Sequence, residues 1–382
     1  LVRQHGETPL DVRLTRGSIA ETLRPSLQSN QFPPEIEIPF GNRVVKAQAR
    51  YTLSLEHQAK VEKLLQSYRP DYGAFVALDA ATGQVLVMAS YSRNKLEPAA
   101  QNLALRASFP AASVFKIVTA AAALDQGVLS ADTVIPFNGS YHTLYRRNVT
   151  DQTQGRWTRQ ITLREAFAKS VNTVFGKIGM YVLEPMQLQE YAERFQFNKT
   201  IASDIPVEAG QVQLPSEEAW GFAELASGFN RVSSMSPLQG AMMAAAVAND
   251  GIMMEPYIVE GLTSADGAVL YQAETAPTSI TMKPESAFEL RRLMKETIVS
   301  GTSRSTFRSL LRKSAFQEME MGGKTGSLRG LSPKGKCDWF VGYVRGEKSR
   351  IAVAALTVNE DKWRVKASYL ARMFIEEYFK RR

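Results

Sequence analysis

The sequence predicts an α+β fold: a central antiparallel β-sheet flanked by helices, with a mostly helical second subdomain. Two observations carry this. A strand–turn–strand pattern stands near each end of the main domain, and the long stretch between them is rich in apolar, helix-like segments. The two hairpins are therefore expected to share one sheet, with the helical middle packed against it.

Taken in order, residues 1–50 are polar and loop-like, with a breaker pair at Pro33-Pro34 and a turn at Gly41-Asn42. They read as a short N-terminal arm leading into a main domain over residues 51–382. After the β-like Tyr51-Thr52-Leu53, an amphipathic helix is expected from about Glu56 to Tyr68, with Ala59, Val61, Leu64 and Leu65 on one side and Pro70 ending it. Gly73 to Leu78, the turn Ala81-Thr82-Gly83 and Val85 to Ala89 form the first hairpin pattern. Trp339 to Val344 and Ile351 to Val358, flanking Arg345 to Arg350, form the second, and Lys366 to Tyr378 closes the chain as an amphipathic helix. No long-period repeat and no low-complexity tract stands between them.

With 44% hydrophobic residues among 382, the chain can bury a substantial core. Its net charge of +8 is read as a generally basic surface. No Lys/Arg block is interleaved with aromatics, so nucleic acid is not expected as a partner. Cys337 is the single cysteine, which excludes an internal disulfide, and His5, His57 and His142 are too scattered for metal-ligand spacing. Neither a metal nor another cofactor is expected. No stretch approaches the roughly 18 to 20 apolar residues that span a bilayer. The chain starts at Leu1, as expected of a processed form or of one cut after a leader.

The chemistry is expected around Ser113. The run from Ser113 to Gly127 is apolar almost all the way round and ends on a glycine, the mark of an interior helix. Ser113 and Lys116, three apart, share a face at its start. A serine hydroxyl is a weak nucleophile that must give its proton to a base as it attacks, and a neutral lysine amine can be that base. Its pKa must fall from about 10.4 to roughly 7 or 8, through burial and a cationic neighbour. Ser-x-x-Lys alone is weak, since a chain of this size contains about one or two by chance. Ser92-Arg93-Asn94-Lys95 has the same spacing in a polar stretch and is read as a surface loop.

Two further segments strengthen Ser113. Ser170-Val171-Asn172 puts polar groups into an apolar, helix-like run, although a helix cap or a satisfied core serine would look the same. Gly322-Gly323-Lys324-Thr325-Gly326-Ser327 stands just before the second hairpin. There glycines allow close backbone approach, a lysine supplies a cation and hydroxyls can hold a carboxylate. A phosphate-binding loop would need glycine at 318, where Glu318 stands.

Ser-x-x-Lys, Ser-x-Asn and Lys-Thr-Gly in this order are the motif set of penicillin-binding proteins and class A β-lactamases. From about Tyr51 to the C-terminus the sequence resembles the transpeptidase domain of class B penicillin-binding proteins. Val76 to Ser90, Ser236-Pro237-Leu238-Gln239 (usually threonine first), Ala248-Asn249-Asp250-Gly251 and Trp339 to Tyr343 agree with it. The resemblance implies a D,D-transpeptidase that acylates Ser113 with acyl-D-Ala-D-Ala stem peptides of peptidoglycan, and that β-lactam antibiotics also acylate. Lys116 would be the base, Ser170 a proton relay to the leaving D-alanine amine, and Asn172 a holder of substrate amide and of Lys116. Lys324 would depress nearby pKa values, Thr325, Gly326 and Ser327 would bind substrate, and the N–H groups of Ser113 and Ser327 would form the oxyanion hole. The arm would be the remnant of a pedestal or linker, with Arg16-Gly17-Ser18-Ile19 its faint echo. An N-terminal anchor absent from this chain would hold the enzyme at the periplasmic face of the bacterial inner membrane, beside divisome or elongasome membrane proteins.

Rival readings remain for the same chain. A D,D-carboxypeptidase would pass the acyl group to water. A class A β-lactamase needs a Glu-x-x-Leu-Asn element, whereas Glu208 is followed by Ala209-Gly210-Gln211-Val212; class D enzymes resemble the chain more closely but typically have Ser-x-Val in place of Ser170-Val171-Asn172, and a class D-like β-lactamase or a penicillin sensor stays an alternative. A non-catalytic cell-wall scaffold would have no need of all three motifs.

Overall fold

The computed structural model describes residues 14–40, 43–93, 102–150, 154–215, 219–347 and 349–380. His5, the Gly41-Asn42 turn, Asn94 and Lys95 of the second Ser-x-x-Lys, and Lys348 lie outside the described residues.

The two expected hairpins share one five-stranded antiparallel sheet, in the order Glu320–Leu331, Lys334–Arg345, Arg350–Asn359, Tyr72–Asp79, Val85–Ser92. First and last parts of the chain meet where Arg350–Asn359 pairs with Tyr72–Asp79, Ala354 opposite Val76. Both faces of this sheet are covered, which is why Tyr72–Asp79 reads as a continuous apolar run and not as an alternation. Ala74, Val76 and Leu78 face one core, and Phe75 and Ala77 face the other.

The Leu55–Tyr68 and Ala367–Phe379 helices cover the second face through Val61, Leu65, Leu370 and Phe374. Val61, Leu64 and Leu65 of the expected stripe face inward, but Ala59 is exposed and Gln58 takes its place. The Gln58 amide donates to the Met88 carbonyl (2.9 Å) and accepts from the Met88 N–H (3.0 Å), tying helix to strand. On the first face lies Pro237–Ala248, every residue of which is buried. Ser236 caps it by accepting from the Gln239 N–H, so the Ser-Pro-Leu-Gln landmark is a helix start. Beyond it are packed Lys116–Asp125, Leu163–Ala168, Asn172–Tyr181 and Pro284–Val299, the helical subdomain.

The N-terminal segment differs from its loop-like reading. Arg16–Gln28 is a helix capped by Thr15, and Glu35–Phe40 pairs with Arg43–Tyr51 in a four-stranded sheet with Val259–Ser264 and Val269–Gln272. Ile19, Leu23, Leu27, Ile36 and Ile38 are buried in the main core. Their spacing of four in the helix and two in the strand is the apolar signal, diluted by the polar residues around it.

Because Leu23 is only 1% exposed, Leu23→Ala is expected to destabilise the whole domain by about 2 to 5 kcal/mol. Urea unfolding followed by tryptophan fluorescence checks this, and an unchanged midpoint would mean that the segment is peripheral.

Candidate active site

Ser113 lies in a short 3-10 turn, Ala112–Phe115, that leads into the helix Lys116–Asp125. Side chains three apart eclipse in 3-10 geometry, so Lys116 stands over Ser113, Nζ to Oγ 2.9 Å. Ala112, just before the serine, has φ 49°, an unfavourable value for a residue with a Cβ. Gly228 (φ +67°) holds the other side: an added Cβ would stand 1.9 Å from the Ala112 carbonyl oxygen. The nucleophile turn is wedged against a neighbour that only glycine permits.

Lys116 is fully buried and has three partners: Ser113 Oγ, Asn172 Oδ1 (2.7 Å) and the Ser227 carbonyl oxygen (2.5 Å). Asn172 donates through Nδ2 to the His142 carbonyl (2.8 Å), which fixes its amide with Oδ1 towards the lysine. Two of the three partners can therefore only accept. A neutral amine has two hydrogens and one lone pair, and the remaining partner, the Ser113 hydroxyl, can donate. Burial, and after it the charge of Lys324, holds the Lys116 pKa well below its ordinary value.

Ser170 adopts φ 56° in the turn between Leu163–Ala168 and Asn172–Tyr181. That left-handed turn lets Ser170 and Asn172 face the same site from successive helical elements. Lys324, in the edge strand Glu320–Leu331, is also fully buried and donates to Ser170 Oγ (2.9 Å) and to the Thr325 carbonyl (2.9 Å). Burial lowers its pKa to about 7. Burial thus weakens the very cation expected to tune Lys116, and for Lys116 itself burial outweighs the charge of Lys324. Lys116 lies 5.5 Å from the ring centre of Phe175 and Lys324 5.4 Å from that of Phe167, an apolar floor with weak cation–π compensation.

A cleft of about 410 Å³ opens over these groups. Ser113, Ser170, Asn172, Thr325, Gly326 and Ser327 line it, and Lys116 and Lys324 lie beneath. Gly323 is required where the strand passes Phe340, whose ring a Cβ would meet at 2.4 Å. All eight sequence candidates are assembled here. Sequence reasoning missed His142, Gly228, the Ser227 carbonyl and Thr302, whose hydroxyl is 2.7 Å from that of Thr325. None lies in a chemical motif; an isolated Ser227-Gly228 pair after a helix was the one visible cue. Glu208 accepts from the Ala107 N–H (2.8 Å) and does not line the cleft. Of the second Ser-x-x-Lys, Ser92 ends a strand and Arg93 pairs with Asp71.

Fold and site together define an α+β domain carrying a serine–lysine dyad with a second buried lysine. The family described as penicillin binding protein transpeptidase domain matches residues 73–374, and the chain belongs to that family. It is 29% identical over 320 residues to the peptidoglycan D,D-transpeptidase PbpA of Mycolicibacterium smegmatis, covering 75% of this chain and 62% of that protein. It is 28% identical over 316 residues to the penicillin-binding protein PbpB of the same organism, covering 75% and 45%. The matched region is thus less than two thirds of the length of these relatives. Among solved structures, the D,D-transpeptidase domain of a peptidoglycan glycosyltransferase from Eggerthella lenta gives a TM-score of 0.72 at 25% identity, covering 87% of this chain and 83% of that one. Penicillin-binding protein A from Mycobacterium tuberculosis, as an imipenem acyl-enzyme complex, gives 0.69 at 25% identity, covering 87% and 79%.

Burying Lys324 has a cost that depends on pH. Its pKa is about 7 in the native state against 10.5 for the free group, so between these values the unfolded chain binds the extra proton and this group's contribution to stability rises with pH. Below pH 7 the penalty is fully present. Lys324→Met is therefore expected to stabilise the fold at pH 6, by about 1 to 3 kcal/mol, and to do so less at pH 9. Thermal unfolding of both proteins at the two pH values checks it, and a destabilised variant at pH 6 would contradict it.

Proposed function

We propose that this domain is a peptidoglycan D,D-transpeptidase that forms an acyl-enzyme on Ser113. The observation that carries the reading is the Lys116 amine, buried, 2.9 Å from Ser113 Oγ and held by two obligate acceptors. It supports a base that is neutral before the reaction begins.

In the proposed reaction, Ser113 Oγ attacks the carbonyl of the penultimate D-alanine while its proton passes to Lys116 Nζ. The oxyanion forms between the backbone N–H groups of Ser113 and Ser327. The C–N bond to the terminal D-alanine breaks, and the leaving amine takes a proton through Ser170, whose hydroxyl Lys324 polarises. An acceptor amine of a second stem peptide then attacks the ester carbonyl, gives up a proton along the same path, and releases Ser113 with the cross-link made. Asn172 both orients Lys116 and offers its amide to the substrate. Thr325 and Ser327 hold the terminal carboxylate, and Gly326, where a Cβ would stand 3.1 Å from Val114 Cγ2, lets the strand pass close to the nucleophile turn with its backbone facing the peptide. The edge position of Glu320–Leu331 supports binding of an extended peptide alongside it.

The imipenem acyl-enzyme of the M. tuberculosis relative supports the same step with β-lactams here. The family supports placement on the extracytoplasmic side of the bacterial membrane, with divisome or elongasome proteins as partners. No helix among the described residues is long and apolar enough to cross a membrane. Glu208 lacks the Leu-Asn that follows the class A deacylating glutamate and instead accepts from the Ala107 N–H, which disfavours class A β-lactamase turnover.

Intact mass spectrometry with a fluorescent penicillin is expected to give a stable one-to-one adduct, absent in Ser113→Ala. Lys116→Ala is expected to lower the acylation rate about 10²- to 10⁴-fold. With a D-Ala-D-Ala-terminated peptide and an amine acceptor, cross-linked product supports transfer, hydrolysis alone indicates a carboxypeptidase, and rapid β-lactam turnover without adduct indicates a β-lactamase.

A further inference from the structure

The cleft extends past Ser327 to a second group of side chains: Lys336, Asp338, Trp363 and Lys366. The antiparallel register explains their placement. Ser327 pairs with Asp338 and Arg329 with Lys336, so all four share the sheet face that carries Thr325. Trp363 comes from the loop before the Ala367–Phe379 helix and is 44% exposed. Lys336 Nζ stands 4.2 Å from its ring centre and Lys366 Nζ 5.7 Å. Both ammonium groups stand over one indole, and both also feel the charge of the Asp338 carboxylate, without forming a close ion pair among the described residues.

Asp338 is the one acid among the described residues lining this cleft. It is only 7% exposed and is engaged below: its carboxylate accepts from the Ala367 N–H at the helix start (2.8 Å). Lys336 and Lys366 thus stand two to one against it in the cleft, both exposed to solvent. A like-charged pair of lysines fixed on an aromatic face within a substrate cleft is matched to an anion that arrives with the substrate. A substrate that acylates Ser113 is a peptide, and the anion a peptide carries is a carboxylate.

We propose that Lys336, Trp363 and Lys366 form a subsite for a free carboxylate on the substrate peptide, separate from its C-terminal carboxylate. The proposal rests on the acyl-transfer reading of Ser113 and adds a specificity to it. The lysines contribute charge and the indole keeps them in position.

The test compares two D-Ala-D-Ala-terminated peptides that differ only in one internal acidic residue, present as free carboxylate or as carboxamide. Wild type is expected to prefer the acid, with a kcat/KM ratio that shrinks as salt is raised from low to high. In Lys336→Gln/Lys366→Gln the ratio is expected to fall about five- to tenfold, mainly through KM, while Lys336→Arg keeps it. Labelling with fluorescent penicillin at full stoichiometry verifies that each variant is folded. An acid-to-amide ratio unchanged by the double substitution overturns the proposal, as does a ratio near one in wild type. Wild type that takes no penicillin and turns over neither peptide overturns the acyl-transfer reading, and the subsite falls with it.

Discussion

Everything at this site depends on the burial of two lysine side chains within one small volume. Ammonium groups resist desolvation, and Lys116 and Lys324 are both removed from water with phenylalanine rings beneath them. The protein answers by giving each a few fixed oxygen partners and by letting the proton go. The lowered pKa of Lys116 favours a neutral amine beside Ser113, which is the condition acyl transfer sets.

The fold serves that condition by bringing its two halves together. The edge strand of the sheet delivers Lys324, and the helical subdomain delivers Ser113, Lys116, Ser170 and Asn172. Trp339 fastens the two, its indole N–H donating to the Pro110 carbonyl (2.9 Å) just ahead of the nucleophile turn. Non-glycine residues at positive φ, Ala112 and Ser170, stand at or beside the reacting groups. Such conformations persist only where the surroundings enforce them, and here the Gly228 contact and the hydrogen bonds of Lys116 and Lys324 do so. Stability is therefore traded for a prepared geometry.

Much of this was legible in the sequence because its signals are local. A hairpin pattern, an all-apolar helix after Ser113 and three short motifs each depend on neighbours within a few residues, and together they located every sequence candidate in the cleft. What escaped depends on contacts made at long range. The Ser227 carbonyl and Thr302 carry no motif, Gln58 is buried because its amide finds Met88, and Ala59 is exposed in its place. The N-terminal segment read as loop because its apolar residues are few per turn; a strand pairing with Val259–Ser264, more than two hundred residues away, supplies the partner that the local pattern lacked. The sequence also called for a cation beside Lys116 without revealing that burial would lower the pKa of that cation too.

The most direct test is the protonation state of Lys116 itself, read from the Nζ signal in protein labelled with ¹⁵N-lysine and assigned by its loss in Lys116→Arg. The account predicts a neutral amine at pH 7 that becomes protonated only as the pH is lowered. A Lys116 ammonium that stays charged through pH 9 would contradict it, since Ser113 would then face a lysine with no lone pair to accept its proton.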